Sequence, residues 1–154
     1  MIQRIQTIWL LISAISSGFL MKGGIINFID KSGQKYFTGF LGIYKLTESG
    51  QELITSSIPI AAIIILVPLL SVITILFFKS RRIQKVLTLI LVTLSLCLII
   101  LVTYYSYILM KNYDTELVPG VKMIIPLIIL IAVFLAYKGI SRDDHIVKSY
   151  YRLR

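Results

Sequence analysis

The sequence predicts an all-α membrane protein. The expected fold is a four-transmembrane-helix up-down bundle, with a small extracytoplasmic β-hairpin or meander in the first loop and a C-terminal amphipathic cytoplasmic helix. Three observations predict it. Four apolar blocks, 5–21, 58–78, 86–110 and 123–137, contain no Asp, Glu, Lys, Arg or His. The cations between the blocks are unevenly distributed. The segment joining the first two blocks is rich in aromatic and β-branched residues.

A bilayer core of ~30 Å takes roughly 20 apolar residues at ~1.5 Å per residue. The middle two blocks meet that length, and the first and last need their flanks. The expected organisation is one integral membrane domain over 1–154. Its helices fall at about 3–22, 57–79, 84–111 and 118–139, with an outer loop at 22–57 and a cytoplasmic tail at 140–154. The first block resembles a signal peptide in its basic start and apolar run, but it ends in Phe19-Leu-Met-Lys22 without an Ala-x-Ala-like site. It is read as a retained crossing.

Net charge is +9. If the blocks are crossings, one side holds ten cations (Arg4, Lys79, Arg81, Arg82, Lys85, Lys138, Arg142, Lys148, Arg152 and Arg154) against two acids, Asp143 and Asp144. The other side holds six cations against five acids. The Lys/Arg bias places both termini and the 79–85 link in the cytoplasm, and so accounts for the charge without nucleic acid.

Within the first block, Ser13, Ala14, Ser17 and Gly18 form four-apart small pairs, a helix-packing pattern. Trp9 lies near the inner end, where amphipathic rings favour the headgroup region. The outer loop reads as two or three antiparallel strands. A run at 25–30 is followed by a turn at Ser32-Gly33, a long run at 35–45, a turn at Glu48-Ser-Gly50 and a short run at 51–55. Pro59 suits a first helical turn. Pro68 sits mid-block as a kink, and the carbonyl it frees needs a hydroxyl or a neighbouring helix. Tyr104, Tyr105 and Tyr107 form an outer aromatic belt. Pro119-Gly120 marks the turn before the last block.

The tail starts with Ser141 as a helix cap, with Asp144 three positions on. Arg142, His145, Lys148 and Arg152 fall on one stripe of that helix. Together with Arg81, Arg82 and Lys85 of the inner link they are expected to contact the membrane surface or a partner.

The chemistry excluded is broad. The blocks lack the ionisable residues that mark transport paths, and their Ser and Thr suit helix packing. Cys97 is the single cysteine, so no internal disulfide and no zinc spacing exists; it is expected to be a buried packing residue. His145 is the single histidine and has no ligand partners at metal spacing. No catalytic, cofactor-binding or metal residue is expected, and no cofactor.

The start Met1-Ile-Gln-Arg-Ile-Gln-Thr7, the outer Leu41-Gly-Ile-Tyr44, the basic link and the end Val147-Lys-Ser149…Arg152-Leu-Arg154 resemble domain-of-unknown-function family 4293 along the whole chain. Tyr151 departs from the small or acidic residue expected there. The resemblance implies a small four-span inner-membrane protein of Bacteroidetes and supplies no activity. The expected role is a non-catalytic accessory or structural subunit of a larger membrane protein complex. Its expected partners are other membrane subunits and membrane lipids, with anionic headgroups on the cytoplasmic side, and no nucleic acid. The alternative is a small transporter, channel or lipid-handling protein, which needs a wet or lipid-filled cavity near Ser71 and Thr74.

Overall fold

The computed structural model describes residues 2–47, 50–78 and 80–152. The chain runs through helix α1 (Ile2–Leu20), strands β1 (Gly24–Asp30), β2 (Lys35–Gly39), β3 (Gly42–Thr47) and β4 (Gly50–Ser56), helix α2 (Ile58–Leu76) and helix α3 (Arg81–Tyr113). It then forms strand β5 (Thr115–Val118), a 3-10 turn (Val121–Ile124) and helix α4 (Ile125–Arg152).

Two features overturn the all-α expectation. The strands form one five-stranded antiparallel sheet in the order β4-β3-β2-β1-β5, so the fold combines four helices with a substantial sheet. The expected 35–45 strand is in fact two strands that turn at Phe40-Leu41, with Gly39 and Gly42 on either side. The fifth strand comes from the connection between α3 and α4. Residues 115–118 pair with 30–27 of β1, which ties the α1–α2 and α3–α4 connections into one layer. Glu48 and Ser49 of the expected second turn lie outside the described residues.

The tail differs as well. No separate helix begins at Ser141; α4 runs unbroken from Ile125 to Arg152. Residues 138–152 contain no proline, and a single glycine within a helix costs only ~1 kcal/mol against alanine, so nothing local stops the helix. The capping role expected for Ser141 therefore does not arise.

Each helix packs on its chain neighbour, and α1 closes the ring against α4. The sheet meets the helices where α1 and α3 finish and α2 and α4 begin. β1 touches the 3-10 turn, β2 and β5 touch α3, and β3 touches α2. The buried stripe of α3 (Gln84, Thr88, Leu91, Ser95, Leu98, Val102, Ser106, Leu109) repeats at three- and four-residue spacing, the seam of one helix face. Phe28, Tyr36, Ile43, Ile25 and Ile26 of the sheet share a single apolar core with Leu20, Ile60, Leu109 and Ile129 of the helices. A bulge at 24–26 lets Ile25 and Ile26 both be buried. Tyr36 and the terminal Tyr113 of α3 add a ring contact at 5.3 Å.

The β1–β2 turn follows from local chemistry. Asp30 accepts from the Lys31 amide at 2.6 Å and the Ser32 hydroxyl at 2.7 Å, and Gly33 supplies a φ of 79°. The Ser32 hydroxyl, then the Lys31 amide, hold the Asp30 carboxyl below the ordinary carboxylate range.

Three helices, Ile58–Leu76, Arg81–Tyr113 and Val121–Asp143, are long and apolar enough to cross a membrane. The apolar part of α1, Ile5–Leu20, is shorter. Most large side chains on the outer faces of the helices are exposed and apolar, Ile15, Leu69, Ile100 and Phe134 among them, while Ser13, Ser17, Ser71, Thr88 and Ser95 point inward. In water this arrangement would be inverted, so lipid is the matching solvent.

Candidate functional site

Polar side chains gather at three levels of the molecule. At the end away from the sheet, Gln6 of α1 donates from Nε2 to Oδ2 of Asp143 on α4 at 2.8 Å, across 137 residues of chain. Arg81, in the first turn of α3, donates from Nη1 to the Asp143 carbonyl at 3.0 Å. Gln84 lies buried one turn along. Gly139 admits the Gln6 side chain, because a Cβ there would lie 3.0 Å from Gln6 Cγ. The space among Gln6, Arg81, Gln84, Ile140 and Asp143 is too tight for a water molecule. This cluster therefore clasps three helix ends and has no room for a substrate. Replacing Asp143 with alanine should lower stability by about 1–3 kcal/mol by leaving a buried donor unpaired. Thermal unfolding in detergent checks this, and Asp143→Asn should lose less because its carbonyl still accepts.

The middle level joins α1 to α2. Pro68 has no amide hydrogen, so the carbonyl of Ile64 lacks its helical donor. Ser17 Oγ donates to that carbonyl at 2.8 Å. Ser13 Oγ lies 3.0 Å from Ser71 Oγ, and Thr74 Oγ1 donates to the Leu70 carbonyl at 2.6 Å. Ser13, Ser17, Ser71 and Thr74 are all fully buried. The other two residues of the small-residue pattern sit differently. Ala14 is half-buried, and Gly18 is exposed with nothing within 4 Å of a Cβ placed there. Ser17→Ala should cost about 0.6–1.7 kcal/mol, the range for hydroxyl bonds between membrane helices, read from the unfolding midpoint.

The third level is the sheet. On the face that carries Asn27 and Phe37, a groove of about 360 Å³ is lined by Asn27, Ile29, Lys35, Phe37, Leu46 and Val118. Phe37 stacks on Tyr44 at 5.1 Å. Strand β4 forms one edge of the sheet, and every one of its residues is exposed. Lys122 Nζ donates to the Lys22 carbonyl, which pins the 3-10 turn to the end of α1.

The remaining expected site residues lie near the end away from the sheet. Arg82 and Arg142 are exposed, and Lys85 is half-buried. His145, Lys148 and Arg152 are on the continuation of α4, and their side chains lie outside the described ones. Cys97 is exposed on α3 instead of buried. Among the described residues no three His, Cys, Asp or Glu side chains gather to hold a metal ion. The pairing of Gln6 with Asp143 is what sequence reasoning missed. A signal existed, because Gln6, Leu10, Ser13, Ser17 and Leu20 share one α1 stripe at four- and three-residue spacing.

No curated protein and no solved structure matches the chain significantly. The family described as Domain of unknown function (DUF4293) matches residues 2–153, and the chain belongs to that family.

Proposed function

We propose that this protein is a non-catalytic inner-membrane protein that serves as an accessory subunit of a larger membrane assembly. In this reading all four helices cross the bilayer, with both termini in the cytoplasm and the sheet outside. The observation that carries it is the sheet. A five-stranded layer is anchored to the helix ends, yet its β4 edge and one groove remain uncovered. Open strand edges and rigid sheet faces are what partner chains pair with. The basic inner end, with Arg82, Lys85, Lys138 and Arg142, suits anionic headgroups of the cytoplasmic leaflet. A path between the helices is the weaker reading, because the hydroxyls it would use are already bonded to one another or to main-chain carbonyls.

Purification in mild detergent at native expression level, with mass spectrometry of what copurifies, tests the proposal. The expected result is a particle well above 17.5 kDa plus detergent, containing other membrane subunits in fixed ratio. A monodisperse particle of this chain alone counts against it.

A further inference from the structure

The apolar belt around the helices is uneven in height. On the α1 side the exposed apolar residues run, among the described side chains, from Ile5 to Met21, and on the α4 side from Val121 to Phe134. At ~1.5 Å per residue these stripes are about 24 Å and about 20 Å tall. On the α2 side the corresponding stripe runs from Ile58 to Phe78, about 30 Å, and the uncharged part of the α3 stripe from Val86 to Met110, about 36 Å. The two short stripes are neighbours, because α1 packs on α4, and so are the two tall ones, because α2 packs on α3. The short side is bounded by charge: Arg4 and Lys22 flank the α1 stripe, while Lys122 sits at the start of the α4-side stripe and Lys138 lies beyond its other end.

A hydrocarbon core of ~30 Å fits the α2/α3 side with modest tilt, but it overshoots the α1/α4 side by roughly 6–10 Å. Tilting the whole molecule scales every crossing alike, so the α1/α4 side remains the shorter. We infer that the α1/α4 flank is a lipid-sorting surface that thins the bilayer beside it and gathers phospholipids with short acyl chains. The inference rests on the four-crossing reading above. Lysine stems at the rim lift their charges toward water, but the acyl chains alongside still meet apolar surface only about 20–24 Å tall.

The protein carries its own reporter. Trp9 is the single tryptophan, and it lies half-buried on α1. The full chain is reconstituted in equimolar C14:1 and C18:1 phosphatidylcholine, with bromine on one chain length and then on the other. Trp9 fluorescence should be quenched about twofold more by the short-chain lipid. A second α1 reporter, Ile15→Trp in a Trp9→Phe background, should agree. Ile100→Trp in the same background, on the tall α3 stripe, should show no short-chain excess. Equal quenching of the α1 reporters by both lipids overturns the inference. Quenching of the α1 reporters by neither lipid overturns it too, and shows that α1 is not in lipid, so the four-crossing reading fails with it. Partner capture by native purification is read separately and is untouched by these outcomes.

Discussion

Replacing Gly42 with alanine should detach the β3–β4 pair and cost about 3 kcal/mol or more, the upper range for forced overpacking. A Cβ at this position would overlap the main-chain carbonyl oxygen of Thr55 and lie 2.9 Å from Leu53 Cδ1. A side chain could swing away, but a strand carbonyl moves only with its strand. Gly42 faces Ser56 at the end of the ladder, and the next residue, Ser57, donates its amide to the Leu41 carbonyl at 2.7 Å. The damage should therefore reach the start of α2. Hydrogen exchange should show faster exchange in β3, β4 and the first turn of α2, with the inner helix halves unchanged. Gly18→Ala is the internal control. Nothing stands within 4 Å of the new carbon there, so stability should stay level or rise by up to about 1 kcal/mol through helix propensity.

The second large effect is expected from Phe28→Ala, at about 3–5 kcal/mol. Phe28 is among the largest fully buried side chains of the protein. It lies in the strand that joins both outer loops, opposite Tyr36 on β2 and Leu117 on β5. Truncation opens a cavity at the junction of sheet and helices, where close packing leaves the neighbours little room to collapse into it. Limited trypsin digestion should then cut at Lys31, Lys35 or Lys45 well before any site in the helices. A full-length protein as resistant as the unaltered one would show that the sheet does not depend on this contact.

The helices and the first four strands were legible in the sequence to different degrees. Long uncharged blocks bound α2 and α3 closely, because charge is costly in lipid and an apolar run of about 20 residues without any is rare outside it. The outer loop announced β-structure through its aromatic and β-branched residues. The division of the 35–45 run was harder to see, because Gly39 and Gly42 read equally well as bulges within one strand. β5 left almost no trace: Thr-Glu-Leu-Val is too short to show a period, and only pairing with β1 fixes it as a strand. The α4 tail was misread because Ser141 and Asp144 match a cap pattern that a continuous helix also tolerates.

The polar contacts between helices were half legible. Pro68 implied a donor for the Ile64 carbonyl, but the sequence left open whether that donor lay on a neighbouring helix or within α2, and only the packing of α1 on α2 makes it Ser17. Asp143 beside Asp144 reads as a charged helix start, whereas the fold buries Asp143 against Gln6 from the far end of the chain. Contacts across such separations are set by which helices become neighbours, and local sequence pattern does not encode that.

The proposed role requires the sheet to stand outside the cell and the clasp inside it. Labelling of single-cysteine variants in intact cells with a membrane-impermeant maleimide tests this directly, in a Cys97→Ser background that removes the exposed native thiol. Glu52→Cys, on the exposed β4 strand, should label fully in intact cells, and Arg82→Cys only after the cells are opened. Labelling of the position 82 variant in intact cells, with position 52 protected until lysis, would contradict that arrangement.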